Sequence, residues 1–328
     1  MARPLRGAAA RAARRLGGMD DTLIDDLRTL PLWKDYRPTP LVELPALARH
    51  ARVGRLFVKG EGERPLGNFK ALGGMLAGPR AIARAVGAAS IGEIAGRPLP
   101  RLVCASIEAQ GGTIAWVDGP YDDAVEFAAA AAALGAGLLI ADTSADPSDT
   151  VVRDVMAGYA LLSRELVRQF ADRGEQPSHL FVQAGVGGLA ASMAQELHAH
   201  MRGPRRIVVV EPEAAACVSR ALAAGRPVRV EGALATCAGM LSCGLASAPA
   251  LEILLRHRVA SMLVDEEGLR AAVDALREID GLRSTPSGAA GLAGLLCVSR
   301  DAEGWRGHDL GAGSTVLVVA TESGDVSR

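Results

Sequence analysis

Of 36 basic side chains only Lys34, Lys59 and Lys70 are lysines, and the rest are arginines. Condensation with a carbonyl group needs an amine that can lose its proton, which arginine cannot supply. Lys34 lies in a loop beside Trp33, and Lys59 sits inside the apolar run Leu56–Lys59. Lys70 differs. It follows the turn Pro65-Leu66-Gly67-Asn68 and opens a helical pattern, where backbone N–H groups disfavour a neighbouring ammonium. A lysine at a helix start also reads as a solvated surface group, so this position alone does not decide.

A second feature is Gly185-Val186-Gly187-Gly188-Leu189, between the apolar run His179–Gln183 and a helical pattern. Glycines let the backbone approach an anion, and the exposed N–H groups at a helix start favour phosphate. The same residues serve equally as a structural strand-to-helix turn. With Glu211 closing the next apolar run, Gly185-x-Gly187-x-x-Ala190 also fits a dinucleotide fingerprint. Against that reading, at least four strands precede it and no hydride-transfer acid is evident nearby. The third feature is Thr321-Glu322-Ser323-Gly324-Asp325, closing the last apolar run. A hydroxyl at a strand's carboxyl end can hydrogen-bond a ring nitrogen without protonating it, and an ordinary turn would look the same.

The elements that must position these residues alternate. Short apolar runs at Leu56–Lys59, Arg101–Ala105, Thr113–Val117, Gly137–Ala141, His179–Gln183, Arg206–Val210 and Thr315–Thr321 read as strands. Helical patterns cover Lys70–Arg84 (broken at Pro79), Asp122–Leu134, Val151–Phe170, Leu189–Met201, Glu213–Ala224 and Glu266–Glu278. This alternation predicts an α/β fold with a mostly parallel sheet covered on both faces. Ligands in such folds bind at the carboxyl ends of the strands. One junction fails the test of connection length. Only Ser106–Gly112 separates two predicted strands, whereas a parallel crossover needs about a dozen residues.

A net charge of -1 gives no electrostatic reason to expect nucleic acid or an anionic membrane as partner. No run approaches the roughly 20 apolar residues of a membrane span. The five cysteines form no CxxC pair and match no histidine spacing, so neither a metal site nor a disulfide framework is expected, and reduced cytoplasmic thiols are the plain reading. The first 18 residues carry five arginines and no acid. They resemble a transit peptide in composition but lack the apolar stretch of a secretory leader, and a basic tail is expected, with Met19 an alternative start.

Gly67-Asn68-Phe69-Lys70, Gly185–Leu189 and Thr321–Asp325 occur in the order found in the fold type II pyridoxal-phosphate enzymes, the tryptophan synthase β-like group, which the chain resembles. Within that group the resemblance to the diaminopropionate ammonia-lyases runs almost end to end. It takes in Tyr36-x-x-Thr39-Pro40-Leu41, Tyr121-Asp122-Asp123, Ala141-Asp142-Thr143 and Asp154-Val155-Met156-x-Gly158-Tyr159. It continues through Val182–Gly187, Val210-Glu211-Pro212, Ala238-Gly239-Met240 with Cys243-Gly244, and Ser287-Gly288-Ala289-Ala290.

The resemblance implies two open, twisted, mostly parallel sheets with flanking helices. The large cofactor domain would span 31–99 and 144–328, after a basic lead-in over 1–30, and a reduced small domain would span 100–143. It implies that Lys70 holds pyridoxal 5'-phosphate covalently, with Phe69 beside it. Gly185, Val186, Gly187, Gly188 and Leu189 would cradle the phosphate. Thr321, preferred by spacing to Ser323, would face the pyridine nitrogen. Asp122 matches a position associated with acid–base work, although Tyr-Asp-Asp before an apolar helix also suits a helix cap. Family members follow the strand corresponding to Arg101–Ala105 with a Ser/Thr-x-Gly-Asn-His-Gly loop that holds the substrate carboxylate. Here Ser106 is all that remains of it, and roughly 40 residues, about two crossovers, are absent. Thr285-Pro286 also stands where the family often has an acid. The implied activity is α,β-elimination on a small amino acid such as 2,3-diaminopropionate, giving pyruvate and ammonia in a cytoplasmic homodimer. A serine/threonine dehydratase, a β-replacement synthase, or a cofactor-binding protein impaired by the missing loop are the alternatives.

Overall fold

A computed structural model describes residues 36–88, 91 and 115–324. In chain order it contains β1 (Leu41–Glu43), α1 (Pro45–His50), β2 (Arg55–Gly60), α2 (Lys70–Ala85), α3 (Tyr121–Ala133), α4 (Thr150–Asp172), β3 (His179–Gln183) and α5 (Gly188–Leu197). There follow β4 (Arg206–Pro212), α6 (Cys217–Ala224), α7 (Ala248–Arg256), β5 (Ala260–Val264), α8 (Glu266–Asp280), α9 (Pro286–Arg300), α10 (Ala302–Gly307) and β6 (Thr315–Ala320). The strands form one sheet in the order β1-β2-β6-β3-β4-β5, parallel except for the antiparallel edge strand β1.

Alternation along each strand divides the core into two layers. Phe57, Leu180, Val182, Val209 and Leu317 pack against α2, α4, α5, α6 and α7. Leu56, Val58, Phe181, Val208 and Val318 pack against α1, α8 and α9 on the other face. Several helices begin where a short polar side chain takes up orphan N–H groups. Asp149 accepts from Val151 and Val152, Asp265 from Gly268, and Thr285 from Gly288, with Pro286 at the first turn of α9.

The helix carrying Lys70 is fixed by close contact with α4. A Cβ on Gly158 would lie 2.3 Å from the Leu72 carbonyl oxygen, and one on Gly73 would lie 2.7 Å from Val155 and 2.8 Å from Tyr159. Asp154 adds two ion pairs from α4 to α2, with Arg80 at 2.8 Å and Arg84 at 2.6 Å. These contacts carry α2 through Pro79, where the sequence predicts a break. Proline removes one helical hydrogen bond, and buried packing on both sides of Pro79 offsets that loss.

Two sheets were expected, and the described residues hold one. Gly137–Ala141 forms no strand; the predicted run Arg101–Ala105 and the first two residues of the predicted run at 113–117 lie outside the described residues, and 115–117 form no strand. Helix α3 forms as predicted but buries only Asp122, leaving Phe127, Leu134 and Leu138 exposed. The basic lead-in and the junction after Ser106 also lie outside the described residues.

Candidate active site

Lys70 starts α2 because Asn68 turns the chain there, its Oδ1 accepting the Lys70 N–H at 3.0 Å. The turn is tied to the segment leaving β6: Phe69 N–H donates to the Thr321 carbonyl oxygen at 3.2 Å, and Ser323 N–H to that of Gly67 at 3.0 Å. Lys70 at the start of α2 and Thr321 at the end of β6 are thus held side by side whatever their side chains do. Both line a cleft with Asn68, Phe69, Gly185 to Leu189, Tyr121 and Asp142.

The glycine turn lies at the carboxyl end of β3. Gly187 has φ +97°, a conformation open to glycine, and no side chain caps the α5 N–H groups that follow. A Cβ on Gly185 would lie 3.1 Å from the Cys243 sulfur. The turn therefore offers a bare helix start at the floor of the cleft, the arrangement that binds phosphate. Thr321 is buried, and its Oγ1 accepts from Gln183 Nε2 at 3.0 Å. Ser323 packs against Gly67 and does not line the cleft.

The facing wall comes from α3 and the loop before α4. Asp142 Oδ2 lies 4.0 Å from Lys70 Nζ, and Tyr121 donates to Asp142 Oδ1 at 2.5 Å. Burial, then the neighbouring carboxylate, pushes the Tyr121 phenol upward, so it stays a donor. Tyr159 is buried beneath, its ring centroid 4.9 Å from that of Phe69. Burial pushes the Cys243 thiol up to about 12 despite the nearby Lys70, which keeps it an uncharged wall rather than a nucleophile. Asp142 belongs to a motif that the sequence singles out without assigning it work. The signal was present: an acid directly after a predicted strand.

Asp122 stands elsewhere. Its carboxylate accepts from Arg229 at 3.1 Å and does not line the cleft, and burial raises its pKa against that cation and the Gly244 N–H. Nor does it cap α3, which starts one residue earlier with Pro120 at the cap position. Asp122 ties α3 to the loop that supplies Met240 to Cys243. Ser106 lies outside the described residues. Lys59 is fully buried against Glu165 at 2.5 Å and is far from any carbonyl chemistry. The dinucleotide reading loses its acid, since both Glu211 oxygens are taken by the N–H groups of Val218 and Ser219 at 2.8 and 2.7 Å. Among the described residues no cluster of His, Cys, Asp or Glu could hold a metal ion.

The cleft thus combines one amine, an uncapped helix start spaced by glycines, and a buried hydroxyl at a strand end. These groups fit pyridoxal phosphate: Lys70 for the aldehyde, Gly185 to Leu189 for the phosphate and Thr321 for the ring nitrogen. Comparison with known proteins agrees. The family of pyridoxal-phosphate dependent enzymes matches residues 100–322. Diaminopropionate ammonia-lyase of Escherichia coli K12 is 27% identical over 337 aligned positions, covering 88% of this chain and 84% of that protein. The alignment is longer than this 328-residue chain, so part of the relative has no counterpart here. The biosynthetic L-threonine dehydratase of Haemophilus influenzae is 34% identical over 146 residues, 43% of this chain and 26% of that one. Among solved structures, the holo diaminopropionate ammonia lyase from Escherichia coli superposes with a TM-score of 0.79 at 24% identity, over 94% of this chain and 92% of that one. Maize serine racemase gives 0.69 at 21%, over 93% and 94%.

Proposed function

We propose that this chain, which belongs to the pyridoxal-phosphate dependent enzyme family, catalyses α,β-elimination on a small amino acid with a β-leaving group. The first candidate is 2,3-diaminopropionate, which with one water gives pyruvate and two ammonia. The observation that carries this reading is Lys70 Nζ, 4.0 Å from Asp142, at the mouth of a cleft floored by the glycine turn.

When bound, pyridoxal phosphate supplies an electron sink that stabilises charge at the α-carbon, so the α-proton becomes removable and the β-group can depart. The residues do the rest. The α5 start and its flanking glycines anchor the phosphate. Thr321 would offer the ring nitrogen a hydroxyl rather than a carboxylate, which would leave the sink mild and favour prompt departure of the β-group over side reactions. Lys70 Nζ takes the α-proton. An amine leaves as ammonia only when a proton accompanies it, and the Lys70–Asp142 pair is where the cleft can hold one. Tyr121, by donating to Oδ1, turns Oδ2 of Asp142 toward that exchange.

A second reading has its own support. Lys70 is the only cation lining the cleft among the described residues, so none of them offers a separate cationic partner for a substrate carboxylate. A protein that holds the cofactor but turns over poorly would look the same. The likeness to threonine dehydratase also keeps hydroxyl-bearing substrates in view. Absorption spectra of the protein with pyridoxal phosphate, for wild type and Lys70→Ala, test the cofactor site. Pyruvate release from 2,3-diaminopropionate, serine and threonine then separates the substrates, and a lysine-dependent band without pyruvate marks the impaired binder.

A cytoplasmic homodimer acting on a small amino acid completes the proposal. Among the described residues no helix is long and apolar enough to cross a membrane.

A further inference from the structure

Gln183 is the last residue of β3, buried, and directly before the turn that carries the glycines. Its amide nitrogen lies within reach of three oxygens: the carbonyls of Gly288 at 2.8 Å and Val319 at 3.1 Å, and Thr321 Oγ1 at 3.0 Å. With two carbonyls on that side, the opposite amide orientation would set oxygen against oxygen, so the nitrogen must face Thr321. The amide oxygen is buried without a partner, walled in by α9, where a Cβ on Gly291 would lie 3.0 Å away. An amide nitrogen cannot accept a hydrogen bond. Thr321 Oγ1 is therefore the acceptor in this contact and keeps its own proton for another partner. Among the described residues Thr321 Oγ1 meets no acceptor, and the side chain lines the cleft.

We infer that Gln183 is a positioning residue that fixes Thr321 as a hydrogen-bond donor toward the cofactor's ring nitrogen and so holds that nitrogen unprotonated. The inference rests on the reading that Thr321 faces that nitrogen. A threonine hydroxyl can turn either its proton or a lone pair toward a neighbour. Without Gln183 the Val319 carbonyl loses its side-chain donor and the Gly288 carbonyl keeps the Thr321 N–H at 3.3 Å, so the Thr321 hydroxyl proton turns to the lone pairs that Gln183 had occupied. The lone pair then faces the ring nitrogen and favours its protonated form. The strength of the electron sink is thus set one residue behind the group that touches the ring. Three charged groups line the cleft: Glu322 accepts from the Thr285 hydroxyl, Asp142 accepts from Tyr121 and faces Lys70, and Lys70 is committed to the aldehyde.

Gln183→Met keeps the side-chain length and removes the donor. The test loads wild type, Gln183→Met and Thr321→Ala with pyridoxal phosphate carrying ¹⁵N in the ring and records the nitrogen resonance at one pH. Wild type is expected in the neutral, hydrogen-bonded range. Gln183→Met is expected to move toward the pyridinium range and to bind the cofactor about five- to tenfold more weakly, the size of one neutral hydrogen bond. A loss of packing alone would lower the melting temperature and leave the resonance in place, which overturns the proposal. A shift in Thr321→Ala with none in Gln183→Met overturns it too, while the reading of Thr321 stands. No shift in either variant removes both. Should Gln183→Met not fold, Gln183→Leu removes the donor with a smaller side chain and is expected to move the resonance in the same direction, an unchanged signal again overturning the proposal.

Discussion

On one wall of the cleft, Lys70, Thr321 and the glycine turn hang from strands buried on both faces and from a helix pressed backbone to backbone against α4. Among the described residues the opposite wall, Tyr121 to Asp142, meets the rest of the molecule through Tyr121, packed at the edge of the core, and a few polar contacts, and its helix buries one residue. The first wall carries what holds a cofactor and the second what moves a proton. Binding and turnover should therefore respond to different substitutions, since one wall rests on packing and the other on a handful of hydrogen bonds.

The largest effect belongs to Lys70→Ala, which is expected to remove the cofactor's absorption band and lower pyruvate release by at least ~10³-fold, while the fold survives because the side chain is part-exposed. An equal band in this variant would break the division at its strongest point. Asp142→Asn is expected to cost about 10²- to 10³-fold in turnover, a typical contribution of one acid–base group, with cofactor affinity within a few-fold of wild type in a fluorescence titration. Parallel losses in both quantities would show that the walls are not separable. Asp122→Ala should act indirectly, by freeing α3 from Arg229 and the Gly244 loop. Turnover is expected to fall about tenfold and the melting temperature by a few degrees, as for about 1 kcal/mol of lost interactions. A loss as large as that of Asp142→Asn would return Asp122 to the acid–base role suggested by its motif.

The smallest effect is a pH slope on the packed wall. Burial raises the Glu211 carboxyl from its ordinary 4.5 to about 8. Its folded value lies above its unfolded one, so the folded chain binds the extra proton. The resulting stability is full below about 4.5 and is lost as pH rises through about 8. Melting temperatures of wild type should decline across that window, and Glu211→Gln should flatten the decline whatever its absolute value.

The same division governs what could be read from the residues. Strands β3, β4 and β6 came out nearly to the residue because apolar runs bounded by turns leave little choice. Strand β5, Ala-Ser-Met-Leu-Val, is half-exposed and gave no clear period, and β1 is too short to show one. Helix α9 is buried all round, so Ser-Gly-Ala-Ala-Gly gave no amphipathic face. Pro79 misled because local cost is visible in a sequence and the packing that offsets it is not. Within the site, Lys70, the glycines and Thr321 sit at element ends and were legible there. Asp142 follows a predicted strand that finds no partner among the described residues, and its proximity to Lys70 depends on how two distant segments meet. Asp122 was favoured by its motif, and only its contact with Arg229 reveals a tie rather than a reagent.

Strand β6 follows every other strand in the chain yet pairs between β2 and β3. Before it is made, no strand pairing joins β1-β2 to β3-β4-β5, and only helix packing, α2 on α4, brings Lys70 toward the glycine turn. A nascent chain still short of Thr315 therefore lacks a complete cofactor pocket. Synthesis imposes an order: the ribosome must deliver the seam before the protein can be charged.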